Sequence, residues 1–267
     1  MNPRRGTRRA DRSDRLDPMM NMTTRLFSVS NARRAAAALL AALAGAAHAA
    51  IVPDRTRVIL NEGEQAAIVT MSNKSDSYPY LVQSWLEDEH GNRITTPLMV
   101  VPPLQRVEPN ERNVLRIARM PGAALPADRE SVFYLNIREV PPKTDTPNAL
   151  QIALHTQMKL FYRPAGVQPA RDEDPTLPMT LRVDPAAHRL VLDNPTPYHV
   201  TVVALAAGAN KTSLPLDPVM VNPKGTASVP FSASAGGGLH VTHVDDYGGQ
   251  VTVEYACDGN ACRSVKR

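Results

Sequence analysis

Apolar and polar residues alternate in short runs along most of the chain, with Pro, Gly, Asn and Asp between the runs. A period of two marks a half-buried strand, and it predicts strands at 57–60, 65–71, 80–86, 113–118, 133–140, 199–204 and 250–255. After residue 49 no stretch of ordinary helical length carries a 3.6-residue period. Short strands at regular spacing predict an all-β chain of the sandwich class. At Pro164 the composition turns polar and turn-rich, and an acidic run, Asp172-Glu173-Asp174, follows. A break there separates residues 50–164 from 165–267, each close to the size of one immunoglobulin-like sandwich, about 100 residues. A single larger barrel is the alternative. Neither half holds the Cys…Trp…Cys frame of antibody domains, so aliphatic packing must hold them. Ile68, Leu81, Ile117, Phe133, Leu160 and Phe161 are the expected core of the first half. Val191, Val202, Leu205, Val229, Val241, Val251 and Val253 are that of the second.

One alternating row stands apart from the rest. Leu150, Ile152 and Leu154, with Met158 beyond, lead directly into Lys159 and a Phe-Tyr-Arg-Pro ending. Such a row either packs on its own core or forms an edge strand held ready for a partner that lacks a strand. The row by itself leaves both readings open.

The amino end changes the charge picture. Arg33 and Arg34 precede an alanine-rich apolar run at 35–47 that ends in Ala47-His48-Ala49, a small-x-small cleavage pattern. That is the form of a secretory signal peptide, residues 1–49, with the mature chain starting at Ala50. A membrane-spanning helix needs about 20 apolar residues, more than this run supplies, so no integral membrane segment is expected after cleavage. Met19, Met20 and Met22 would each give a more ordinary leader, so the true start is expected to lie later than Met1. The leader carries nine of the chain's 30 basic residues and three of its 26 acidic ones, so its removal turns a formal charge of +4 into −2. The basic character therefore belongs to the leader, and nucleic acid is not an expected partner.

Cys257 and Cys262 flank a turn-forming Asp258-Gly259-Asn260 near the carboxyl end. In an exported chain this spacing reads as a local hairpin disulfide. Zinc is the competing idea, but there is no second cysteine pair and His243 is distant in sequence. His240 and His243, three apart on an expected strand, point to opposite faces and make a poor metal pair.

Several motifs in order then narrow the class: DRTRVIL at 54–60, PYLVQSWLE at 79–87, PPLQR at 102–106, FYLNIREVPP at 133–142, LQIALHTQMKLFYRP at 150–164, NPTPYHVT at 194–201 and DDYGG at 245–249. Together they cover nearly the whole mature chain, which closely resembles the periplasmic chaperones of the chaperone-usher pilus pathway. The resemblance implies two immunoglobulin-like domains set in an L around a cleft. It implies that Arg57 and Lys159 grip the terminal carboxylate of a pilus subunit. It also implies that Leu150, Ile152 and Leu154 enter the groove left by the subunit's missing strand, by donor-strand complementation, before delivery to an outer-membrane usher. Glu139, Arg163 and Asp246 would form a charged cluster fixing the angle between the domains. The short loop at 143–149 resembles the short-loop branch, which serves rod-like pili. No cofactor, nucleotide or metal is implied, and an exposed apolar edge predicts a self-capping dimer when no subunit is present. Lys159 has the opposite parity to Leu150, which a bulge or the cleft position would reconcile.

Two other classes compete with this one. A secreted adhesin would share the strands and the disulfide but has no use for Arg57 and Lys159 aimed at one site. A secreted hydrolase would need a nucleophile or metal motif, and neither G-x-S-x-G nor H-E-x-x-H occurs.

Overall fold

A computed structural model describes residues 49–122, 124–144, 150–169, 174 and 176–265. All but the last residue of the expected leader, most of the 143–149 loop and, of the acidic run, Asp172 and Glu173 lie outside the described residues. No helix among the described residues is long and apolar enough to cross a membrane.

The first half contributes β1 (Ile51–Pro53), β2 (Arg57–Asn61), β3 (Ala67–Asn73), β4 (Tyr80–Glu87), β5 (Arg93–Ile94), β6 (Leu98–Val101), β7 (Leu104–Val107), β8 (Arg112–Arg119), β9 (Ser131–Val140) and β10 (His155–Arg163). They form two sheets, ordered β1-β3-β8-β6 and β2-β10-β9-β4-β5, with β7 also paired to β4. Val69, Met71, Leu115 and Ile117 from one sheet meet Val82, Leu86, Leu135 and Leu160 from the other in a single core. That is the sandwich the alternation predicts, because each strand turns every second side chain inward.

The second half contributes β11 (Thr180–Asp184), β12 (Arg189–Asn194), β13 (Val200–Ala207), β14 (Thr212–Leu214), β15 (Val219–Val221), β16 (Gly225–Pro230), β17 (Leu239–Val244), β18 (Gln250–Asp258) and β19 (Ala261–Ser264). Hydrogen bonds run without a break through β14-β13-β17-β18-β19-β11-β12-β16. The ribbon bends back on itself, so Leu181 and Leu192 share one core with Val202, Val241 and Val253. Cys257 and Cys262 stand directly opposite each other in the β18–β19 hairpin and form a disulfide.

In the second half Val191 and Val251 are only half-buried and lie outside the core, and two expected core members of the first half face outward. Ile68 is 37% exposed and Leu81 43%. Each follows or precedes another apolar residue, and the neighbours Val69 and Val82 take the inward positions.

Candidate functional site: two cations beside an unpaired strand edge

β10 changes its surroundings halfway along. From Lys159 to Arg163 it lies between β2, which runs parallel to it, and β9, which runs antiparallel. From His155 to Met158 only β9 is paired with it. The other side of this amino-terminal half has no strand among the described residues, so its backbone N–H and C=O groups are available to another chain.

Just before this open edge come Leu150, Ile152 and Leu154. They are not part of the strand, which begins at His155. Leu154 accepts a hydrogen bond from the Glu139 amide at 3.0 Å and is half-buried, whereas Ile152 is 56% and Leu150 86% exposed. The row therefore does not pack on the core of its own domain. Its even parity is that of Met158 and Leu160, which face the core, while Lys159 faces the opposite side. The β9–β10 register runs unbroken from His155 to Tyr162, so no bulge lies between His155 and Lys159.

The parallel register of β2 and β10 sets Arg57 and Lys159 side by side. Both are half-buried, and neither is in an ion pair among the described residues. The second half holds both heads. Lys159 Nζ donates to Thr201 Oγ1 at 2.9 Å, and an Arg57 Nη donates to the Val244 carbonyl at 3.1 Å. Thr201 and Val244 are themselves cross-strand partners on β13 and β17, so a pair of cations on one sheet meets a pair of acceptors on the other. Arg57 Nε is buried with no hydrogen-bond partner. Burial pushes the Lys159 ammonium below its ordinary pKa, and the neighbouring Arg57 charge pushes it further. Burial likewise lowers Arg57, against the partial support of the Asp246, Asp245 and Glu130 carboxylates. Two adjacent, desolvated cations with unused donors call for an anion.

The third cation of the cleft is already neutralised. Arg163, 4% exposed, donates from Nε to Glu130 at 2.8 Å and through its two terminal nitrogens to Asp246 at 2.7 and 3.0 Å. Burial opposes its charge, but the bonds to Asp246 and the charge of Glu130 outweigh that cost and raise its pKa. Because Asp246 belongs to the turn between β17 and β18, this bridge ties the two sandwiches together. In the same turn, a side chain at Gly248 would collide with the Thr56 hydroxyl, so the glycine permits the hairpin to approach the start of β2 closely.

The expected cluster needs one correction. Glu139 is not part of it; the second carboxylate on Arg163 is Glu130. Glu139 is buried elsewhere and accepts a hydrogen bond from the Ile51 amide at 2.8 Å, which fastens β1. Glu130 also accepts from the His199 amide at 2.8 Å, reaching the second half a second time. Neither Glu130 nor Thr201 is apparent in the sequence alone, since Glu130 reaches Arg163 through the β9–β10 register and Thr201 reaches Lys159 through the packing of one sandwich on the other.

Residues 50–168 match the family model described as "Pili and flagellar-assembly chaperone, PapD N-terminal domain", and residues 174–255 match "Pili assembly chaperone PapD, C-terminal domain". The chain is 39% identical over 229 residues to the probable fimbrial chaperone YfcS of Escherichia coli K12, covering 85% of this chain and 90% of the relative. It is 36% identical over 224 residues to the chaperone protein PapD of Escherichia coli, covering 83% and 92%. Among solved structures it is similar to the periplasmic chaperone SfaE, with a TM-score of 0.61 and 31% identity over 76% of this chain and 98% of that one. It is also similar to the SafB chaperone, solved in complex with the Salmonella enterica SafA pilin, at a TM-score of 0.64 and 27% identity over 78% and 96%.

Proposed function

Because the chain belongs to the family of pilus-assembly chaperones, we propose that it receives pilus subunits in the periplasm, supplies their missing strand and delivers them to an outer-membrane usher. Arg57 and Lys159 hold the subunit's terminal carboxylate. The carboxylate takes the donors that Val244 and Thr201 leave unused, and each charge-assisted bond contributes roughly 1.5–3 kcal/mol. From that fixed point the subunit's edge runs along the open half of β10 and pairs backbone to backbone. Leu150, Ile152 and Leu154 fill the subunit's groove, at roughly 1.5–3 kcal/mol for each side chain fully buried, before ordering costs. The cations set the register and the apolar row supplies most of the binding.

The observation that carries this reading is the placement of two half-buried cations without an ion pair midway along β10, where its open edge begins, with the exposed Leu150 and Ile152 just before that edge. No catalytic step or cofactor has a part in it. Residues 1–49 act as the export signal, and residues 50–164 and 165–267 are the two domains. In the absence of a subunit, the same edge pairs with a second copy, which sedimentation at several concentrations tests; a mass that stays monomeric removes the capping dimer.

Co-purification from periplasm with a pilus subunit encoded beside the gene tests the central claim. Wild type is expected to hold the subunit in solution, and Arg57→Ala and Lys159→Ala to lose it while keeping their thermal unfolding temperatures. Normal subunit recovery with both variants would remove the carboxylate anchor.

A further inference from the structure

Beside Arg57 the two sandwiches enclose a partly open cavity of about 250 Å³. Its apolar walls are Phe161, Tyr198, Val244, Tyr247 and Val251, and Arg57 closes one side. We propose that this cavity receives the side chain of the subunit's carboxyl-terminal residue and selects a neutral aromatic one. The inference rests on the carboxylate anchor described above.

Three observations lead to it. The first is continuity: Arg57 is at once an anchor and a cavity wall, and a residue's side chain branches one carbon from its own carboxylate. A terminal residue held at Arg57 therefore has its side chain at the cavity mouth. The second is size. A cavity of roughly 150 Å³ is enough for benzene, so the present one has room for a phenyl, phenol or indole ring and is poorly filled by a small residue. An underfilled apolar cavity forfeits dispersion contacts along its walls.

Charge supplies the third observation. Glu130, Asp174, Asp245 and Asp246 also border the cavity. All four are already engaged: Glu130 and Asp246 by Arg163, Asp174 by the Thr176 amide and hydroxyl at 2.9 and 2.7 Å, and Asp245 by the Tyr247 and Gly249 amides at 2.9 and 2.7 Å. The density of carboxylates opposes a terminal aspartate, and the guanidinium groups of Arg57 and Arg163, in the lining of the same cavity, oppose a terminal lysine. Tyr247 stands at the rim, 94% exposed. An aromatic ring so placed adds nothing to the core, but it offers a flat face to an incoming ring.

Synthetic peptides copying the last twelve residues of a pilus subunit would test this, with the final residue replaced by Phe, Gly, Lys or Asp and each made as free acid and as amide. Fluorescence anisotropy against the intact mature chain reads the affinity. The Phe acid is expected to bind about tenfold tighter than the Gly acid, with Asp the weakest. Val251→Phe, which fills the cavity, should bring the Phe-to-Gly ratio close to one, and Tyr247→Ala, at an exposed turn, should lower it about threefold. Thermal unfolding of both variants checks that they are folded. Equal binding of Phe and Gly acids, each tighter than its amide, overturns the side-chain pocket and leaves the anchor standing. A Lys acid that binds tightest overturns the choice of a neutral ring. Acids and amides that bind alike overturn the anchor itself.

Discussion

Arg163 and the Arg57–Lys159 pair occupy the same cleft and are used in opposite ways. Arg163 is almost fully enclosed and meets two carboxylates, one from each sandwich, so its charge is spent within the protein. Arg57 and Lys159 are half-buried and meet only a carbonyl and a hydroxyl. Their desolvation is not balanced by an ion-paired counter-charge, only partly by more distant carboxylates at Arg57, and the lowered pKa values of both follow from that. A cation whose partner lies inside the chain holds the architecture. In the proposed function a cation kept without one, at some cost, is reserved for a ligand, and the two kinds should separate cleanly on mutation.

The largest effect is expected at Arg163. Arg163→Met leaves Glu130, whose side chain is 1% exposed, without its counter-charge, and should cost about 3–5 kcal/mol in urea unfolding. Adding Glu130→Gln should recover much of that loss, because it removes the stranded charge, and the double-mutant cycle gives the coupling. Loss of equal size from Arg57→Met would erase the distinction between the structural and the reserved cations.

Most of the fold was legible because strand alternation is a local property. The expected strands at 57–60, 80–86 and 133–140 fall within two residues of β2, β4 and β9 at both ends. Which face turns inward was less legible where apolar residues adjoin, as with Leu81 and Val82, since both parities then look plausible. The candidate site depended on the family resemblance, because Arg57 and Lys159 become neighbours only through the parallel pairing of β2 and β10. Register also shows why Glu130, and not Glu139, meets Arg163. Lys159 stands opposite Tyr134, and each step toward Arg163 moves one residue back along β9, so the count ends at Glu130. Glu139 is at the far end of the same strand, opposite the residues that lead into the open edge.

A middle-sized effect belongs to the apolar row, which sharpens the contrast from the binding side. Ile152→Asp changes a side chain that is more than half exposed, so thermal unfolding should be nearly unaltered. Subunit affinity should weaken by at least the burial of one such side chain, about 1.5–3 kcal/mol, measured by competition against wild type. A severe fall in melting temperature instead would mean that the row packs within the chaperone, and the open edge would lose its purpose.

The smallest effect, a few-fold, comes from pH, and it discriminates between the two kinds of cation. Lys159 is held below the ordinary lysine value of about 10.4, so its charged form disfavours the folded state. Between the depressed value and the ordinary one, the unfolded chain binds more protons, and Lys159's contribution to stability rises with pH. A bound carboxylate reverses the sign, because it favours the ammonium and draws a proton back as it binds. Peptide affinity should therefore fall across the same interval in which Lys159's penalty on the free protein is being relieved. Lys159→Met should bind weakly at every pH and lack the slope. Arg163, whose partners raise its pKa, leaves no such mark in that interval. If affinity for the peptide acid stays flat from neutral pH to the lysine range in wild type, Lys159 does not meet the carboxylate as an ammonium, and Arg57 would have to hold it alone.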